Sequence, residues 1–257
     1  MEIRDKIVVI TGGASGIGAA MARRFAAEGA QKVVCADRDL AGAQAVADEI
    51  GGVAIRTDVS LAEDISQLIE TVESDIGPID LFVSNAGIIT GGGVEVGDAD
   101  WQNIWDINVL AHIRVARILV PKMLARGGGY LLNTASAAGL LAQIGSAPYS
   151  VTKHAAVSFA EWLKITHGAE GLKVSVLCPQ GVDTPMIADA DTSTVAKDGI
   201  VSAEHVADIC VEAISDERFL ILPHPKVGEY VKQKGADPER WLAGMQRWQA
   251  MLTEQTS

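Results

Sequence analysis

A tyrosine and a lysine stand four residues apart, at Tyr149 and Lys153, and Ser136 precedes the tyrosine by 13 positions. Residues four apart on a helix share a face, one turn from each other. A free phenol has a pKa of about 10, too high for a base near neutral pH, and an ammonium beside it favours the phenolate. The pair can take a proton from an alcohol or return one to a ketone. A serine hydroxyl nearby can hold the reacting oxygen against the tyrosine. These groups supply half of a dehydrogenation, and the other half is a hydride acceptor.

A glycine-rich turn near the N-terminus offers a place for that acceptor. Lys6-Ile-Val-Val-Ile10 reads as a buried parallel strand, Thr11-Gly-Gly-Ala-Ser-Gly-Ile-Gly18 as a turn, and Ala19 to about Glu28 as a helix stopped by Gly29. Strand, glycine turn and helix form the context of a dinucleotide site. Bare backbone at Gly12, Gly16 and Gly18 lets amides approach a pyrophosphate, and the helix start at Ser15 and Ile17 attracts its charge. A second apolar run, Val33–Ala36, ends in Asp37, 19 positions after Gly18. An acidic residue near that offset accepts hydrogen bonds from the adenosine ribose and repels a 2′-phosphate, which favours NAD over NADP. Arg38 pulls the other way, since an arginine can pair with that phosphate. Asp37 also reads as a helix N-cap, a role open equally to Asp39.

Taken together, these residues resemble the short-chain dehydrogenase/reductase family in its compact single-domain branch, from Lys6 to about Leu222. Thr11, Gly12, Gly16 and Gly18 match its T-G-x-x-x-G-x-G pattern. Asp58-Val59 resembles its adenine-contacting pair. Ser84-Asn-Ala-Gly87 is similar to its N-N-A-G motif with serine in first place, so Asn85 and Gly87 are expected in the cofactor wall. Asn108 matches the fourth catalytic position, beside Ser136, Tyr149 and Lys153. Pro179-Gln-Gly-Val-Asp-Thr184 resembles the P-G-x-x-x-T segment, with Gln180 where glycine is usual. The resemblance implies that Pro179, Val182 and Thr184 flank the nicotinamide and that Thr184 binds its carboxamide. It also implies that Lys153 binds the nicotinamide ribose and that Asn108 holds a water linking Lys153 to solvent.

The chain has 257 residues with no Pro- or Ser-rich linker, which reads as one α/β domain, with residues 226–257 as its helical tail. Strands are expected near Ile7–Ile10, Val33–Ala36, Val53–Arg56, Leu81–Ser84, Tyr130–Thr134, Val174–Leu177 and Phe219–Leu222, with helices between them. This alternation is the pattern of a Rossmann-type doubly wound parallel sheet of about seven strands. Ligands in such sheets bind beyond the carboxyl ends of the strands, where most of the motif residues fall.

Three scattered cysteines argue for a reducing compartment and against a thiolate metal site. No metal is expected, because the five histidines form no ligand constellation. The N-terminus shows no apolar signal region, so a cytoplasmic location is expected. A net charge of −12 counts against nucleic acid and anionic membrane as partners. The stretches expected to line a substrate pocket, 84–93, 136–148 and 180–191, hold no lysine or arginine; the last holds Asp183, Asp189 and Asp191. That composition points to a neutral, apolar secondary alcohol or its ketone, with the loop 185–201 gating it. The helices expected near 100–126 and 149–167 carry more apolar surface than one sheet needs, which predicts a homodimer or homotetramer. In the tail, Trp241, Met245, Trp248 and Leu252 recur at helical spacing, the pattern of an amphipathic helix docked on its own core. Two alternatives remain open: an NADPH-dependent carbonyl reductase, and a non-catalytic dinucleotide sensor.

Overall fold

A computed structural model describes residues 1–188 and 197–256. Seven strands form one parallel sheet: β1 (Ile7–Thr11), β2 (Lys32–Asp37), β3 (Val53–Arg56), β4 (Leu81–Ser84), β5 (Gly129–Thr134), β6 (Leu172–Leu177) and β9 (Leu220–Ile221). Their spatial order is β3-β2-β1-β4-β5-β6-β9, so the winding reverses between β1 and β4. Val8–Ile10 pair with Leu81–Val83 across that reversal. The crevice it leaves at the strand ends is where such sheets bind ligands.

The central strands are buried on both faces, which is why they read as unbroken apolar runs. Val8 and Ile10 point into one core layer and Val9 into the other. The first layer is closed by α1 (Gly16–Ala27), α2 (Leu40–Ile50) and α7 (Ala203–Ser215), through residues such as Phe25, Val46 and Ile214. The second is closed by α3 (Ala62–Asp75), α5 (Ala111–Ala125) and α6 (Ala147–His167), through Leu68, Leu119 and Ala160. Asp39, not Asp37, caps α2, its side chain accepting from the Gly42 N–H.

The long helix expected near 100–126 is three pieces. A helix α4 (Asp98–Trp105) runs into a π-helical turn, Asp106–Leu110, and then into α5. The Ala111 N–H bonds the Asp106 carbonyl, five residues back. Arg114 braces this turn, pairing with Asp106 at 3.0 Å and donating to the Ser60 carbonyl at 2.8 Å. After β6 the chain forms a two-stranded parallel ribbon, β7 (Val182–Asp183) with β8 (Val201–Ser202). The expected docking of the tail on the core is not what forms. α8 (Pro225–Ala236) buries Val227, but no residue of α9 (Pro238–Thr256) up to Glu254 is buried. The stripe Trp241, Met245, Trp248 and Leu252 is only half-covered, because α9 packs mainly on α8 and faces a cavity.

Candidate active site

The turn after β1 is shaped by close approach. Gly12 has φ +68°, and a Cβ there would stand 3.0 Å from Ala86 Cα. A Cβ on Gly18 would collide with the Gly12 carbonyl oxygen. Ser15 stands at the N-cap of α1 but makes no side-chain cap bond, so the helix start faces the crevice with its amides uncovered. Asp37, at the end of β2, is fixed by the Ala14 N–H (3.1 Å) and the Asp39 N–H (3.0 Å). Asp58 accepts from the N–H and hydroxyl of Ser60, bonds that hold its carboxyl below the usual range against the cost of burial.

Asn85 ties three strand ends together. Its amide donates to the Thr11 carbonyl (3.1 Å) and accepts from the Thr134 hydroxyl (3.2 Å), while its N–H bonds Thr11 Oγ1 (2.9 Å). Serine at the preceding position does not disturb this wall. Asn108, fully buried on the π-helical turn, clamps the Ile88 backbone with two 2.9 Å bonds and donates to Thr152 Oγ1 at 3.3 Å. Both amide hydrogens are therefore engaged, and a water at this residue must use other atoms.

The reacting groups meet where β5, β6 and α6 converge. Ser136 Oγ accepts from the Ala138 N–H (3.1 Å) and donates to the Pro179 carbonyl (3.3 Å). The same hydroxyl faces the Tyr149 phenol and acts to lower its pKa. Lys153 is buried, donates to the Thr134 carbonyl at 3.0 Å, and lies 5.6 Å from the centroid of the Tyr149 ring. A Cβ on Gly139 would lie 2.5 Å from the Lys153 carbonyl oxygen, so the Ser136 turn sits directly on α6.

The pKa expectation needs correction. Burial raises the Tyr149 phenol above its ordinary value, and the Ser136 hydroxyl only partly offsets it. Burial also lowers the Lys153 ammonium, to about 8, which leaves it charged at neutral pH.

Two residues that the sequence reading passed over belong to the surroundings. His112, one turn beyond Asn108, is buried near Lys153, and burial lowers it to about 3, so it stays neutral. His224 is buried and its Nδ1 accepts the Gln180 N–H at 3.2 Å, pinning the loop after β6. Gln180 adopts no left-handed backbone, so its replacement of glycine leaves that loop unstrained. A histidine between two prolines, Pro223 and Pro225, was the available signal.

A cleft of about 330 Å³ is lined by Gly12, Ser15, Gly16, Ile17, Asp37, Asp58, Val59, Asn85, Gly87, Ser136, Tyr149, Lys153, Pro179, Val182 and Thr184. Gly18 and Asn108 lie behind it, holding the turn and the Ile88 backbone. The bare glycine turn, the uncovered α1 amides and the fixed Asp37 carboxylate fit a nicotinamide dinucleotide. Asp189 and Asp191 fall outside the described residues, as do residues 189–196 of the expected gating loop. Among the described residues no group of histidines, cysteines and carboxylates could hold a metal, and no helix is long and apolar enough to cross a membrane.

A doubly wound sheet with a glycine turn at its switch point and a Ser–Tyr–Lys cluster facing it defines a dinucleotide-dependent oxidoreductase. The profile of the family described as short chain dehydrogenase matches residues 6–194, and the chain belongs to this family, as an oxidoreductase of CH–OH groups. It is 36% identical over 235 residues to 1-deoxy-11-beta-hydroxypentalenate dehydrogenase of Streptomyces exfoliatus, covering 86% of this chain and 84% of that protein. It is 32% identical to meso-2,3-butanediol dehydrogenase of Serratia marcescens, covering 86% and 92%. A short-chain dehydrogenase/reductase from Burkholderia phymatum, solved in complex with NAD, superposes with a TM-score of 0.85 at 31% identity, covering 93% of this chain and 96% of that one.

Proposed function

We propose that the protein is an NAD-dependent dehydrogenase interconverting an apolar secondary alcohol and its ketone through Ser136, Tyr149 and Lys153. The observation that carries this reading is the meeting of the Tyr149 phenol with Ser136 and with the buried Lys153, at the mouth of a cleft built by the glycine turn. A nicotinamide dinucleotide bound there supplies the hydride acceptor in oxidation and the donor in reduction. Tyr149 takes the alcohol proton in one direction and returns it in the other. Lys153 is cationic at neutral pH and favours the phenolate that burial opposes. Ser136 turns its hydroxyl from the Pro179 carbonyl toward the substrate oxygen and steadies the charge that develops there. Asn108 holds the Ile88 backbone, and with it Gly87, against the Lys153 ammonium, where a Cβ on Gly87 would stand 3.3 Å from the Lys153 Nζ.

The fixed Asp37 carboxylate favours NAD, since it would face a 2′-phosphate. Relatives named as dehydrogenases of a hydroxypentalenate and of butanediol, and a neighbour solved with NAD, agree with this reading. Arg38 lines the same cleft, and this favours the second reading, an NADPH-dependent carbonyl reductase. The test is a panel of secondary alcohols and ketones assayed with each cofactor. Alcohol oxidation with a higher kcat/KM for NAD supports the proposal; ketone reduction with preference for NADPH supports the second reading.

A further inference from the structure

The cleft continues past the reacting groups into a second cavity of about 710 Å³, with Ala137, Ala138, Gln143 and Gln180 lining both. A cavity of this size accepts a small organic molecule. Its far wall is one face of α9, presenting Arg240, Trp241, Gly244, Met245, Arg247 and Trp248. The three loops that promised a neutral lining hold no cation; α9 supplies what they lack.

Arg240 and Arg247 are exposed, and among the described residues neither guanidinium has a hydrogen bond or ion pair. Arg23, Arg24, Arg114 and Arg126, by contrast, each pair with a carboxylate. Arg247 folds back over the bare backbone of Gly244, its Nη2 3.8 Å from where a Cβ would stand. Gly244 lies one turn from Arg240, so both cations address one patch of the cavity wall. Lys197 is held apart, 4.4 Å from the Trp248 ring centroid and 5.8 Å from that of Tyr230. Asp237 is the one carboxylate among these lining residues. On a chain of net charge −12 this wall is locally positive.

We propose that the substrate has an apolar body and a single carboxylate at the end remote from its reacting carbon. The body runs from Ser136 and Tyr149 along Trp241, Met245 and Trp248, and the carboxylate sits on Arg240 and Arg247. This rests on the oxidoreductase reading above and revises the expected neutral substrate at its far end. Asp237 and the overall negative charge disfavour a dianion there.

The test compares 7-hydroxyoctanoate and 11-hydroxydodecanoate with their methyl esters, in the presence of NAD. At least one acid should exceed its ester in kcat/KM by roughly tenfold or more, chiefly through KM, as for a charge-assisted hydrogen-bond pair. In the double variant Arg240→Gln, Arg247→Gln, whose exposed helix makes misfolding easy to exclude by circular dichroism, that ratio should fall to near one. Esters turned over as well as the acids, or a preference that survives the double substitution, overturn the proposal and leave alcohol oxidation standing. No turnover of either series, with NADH still bound, overturns both.

Discussion

Burial raises the Tyr149 phenol and lowers the Lys153 ammonium to about 8, so the two groups are pushed apart in their titration. Alcohol oxidation should therefore quicken with rising pH, as the phenol gives up its proton. Lys153→Met removes the cation that favours the phenolate and should move the rising limb of kcat/KM alkaline by about one unit or more. A limb that stays in place would deny Lys153 this role. His112 gives a separate effect on stability. Its folded pKa, about 3, lies below the ordinary 6.5, so the unfolded chain binds a proton that the folded chain refuses. The resulting stability is complete above pH 6.5 and drains as pH falls toward 3. Urea unfolding of His112→Leu should show a smaller loss between pH 7 and pH 5 than the parent; an equal loss would place the acid sensitivity elsewhere.

At the scale of elements, the glycine turn and the π-helical turn set the geometry. Gly18→Ala drives a methyl into the Gly12 carbonyl oxygen and must shift the start of α1. Overpacking of this kind costs about 1–3 kcal/mol, so NADH binding by calorimetry should weaken roughly tenfold or more. Affinity unchanged from the parent would show that the turn does not hold the cofactor. The seven strands were legible because a parallel sheet covered on both faces needs continuous apolar runs, and β1, β2 and β4 supply them. The site residues were legible as spaced motifs at strand ends. The π-helical turn was not, since one extra residue per turn leaves no periodic trace over Asp106–Leu110. The β7–β8 ribbon is two residues long on each side, too short for any pattern. A lone histidine carries no signature, so His112 emerged only with its burial. The α9 stripe promised a helix and delivered one, but amphipathicity alone does not say what the apolar face meets.

The whole molecule leaves apolar surface uncovered along α6, where Val151, Trp162 and Ile165 are 47%, 54% and 82% exposed. Trp162 stacks on Phe159, giving this face an aromatic platform. We expect two or four chains to associate through it, and Trp162→Glu with Ile165→Glu to dissociate them. Light scattering at micromolar concentration checks this; a single-chain mass for the parent would contradict it. The central claim concerns the chemistry, and Tyr149→Phe tests it most directly, because it removes one hydroxyl and leaves the ring over Lys153. With NAD and a secondary alcohol oxidised by the parent, turnover should fall by about 10² to 10⁴, while NADH affinity measured on the same preparation stays within about twofold, since only a proton-transfer group has gone. Turnover that persists near the parental rate would show that the Tyr149 phenol does not move the proton.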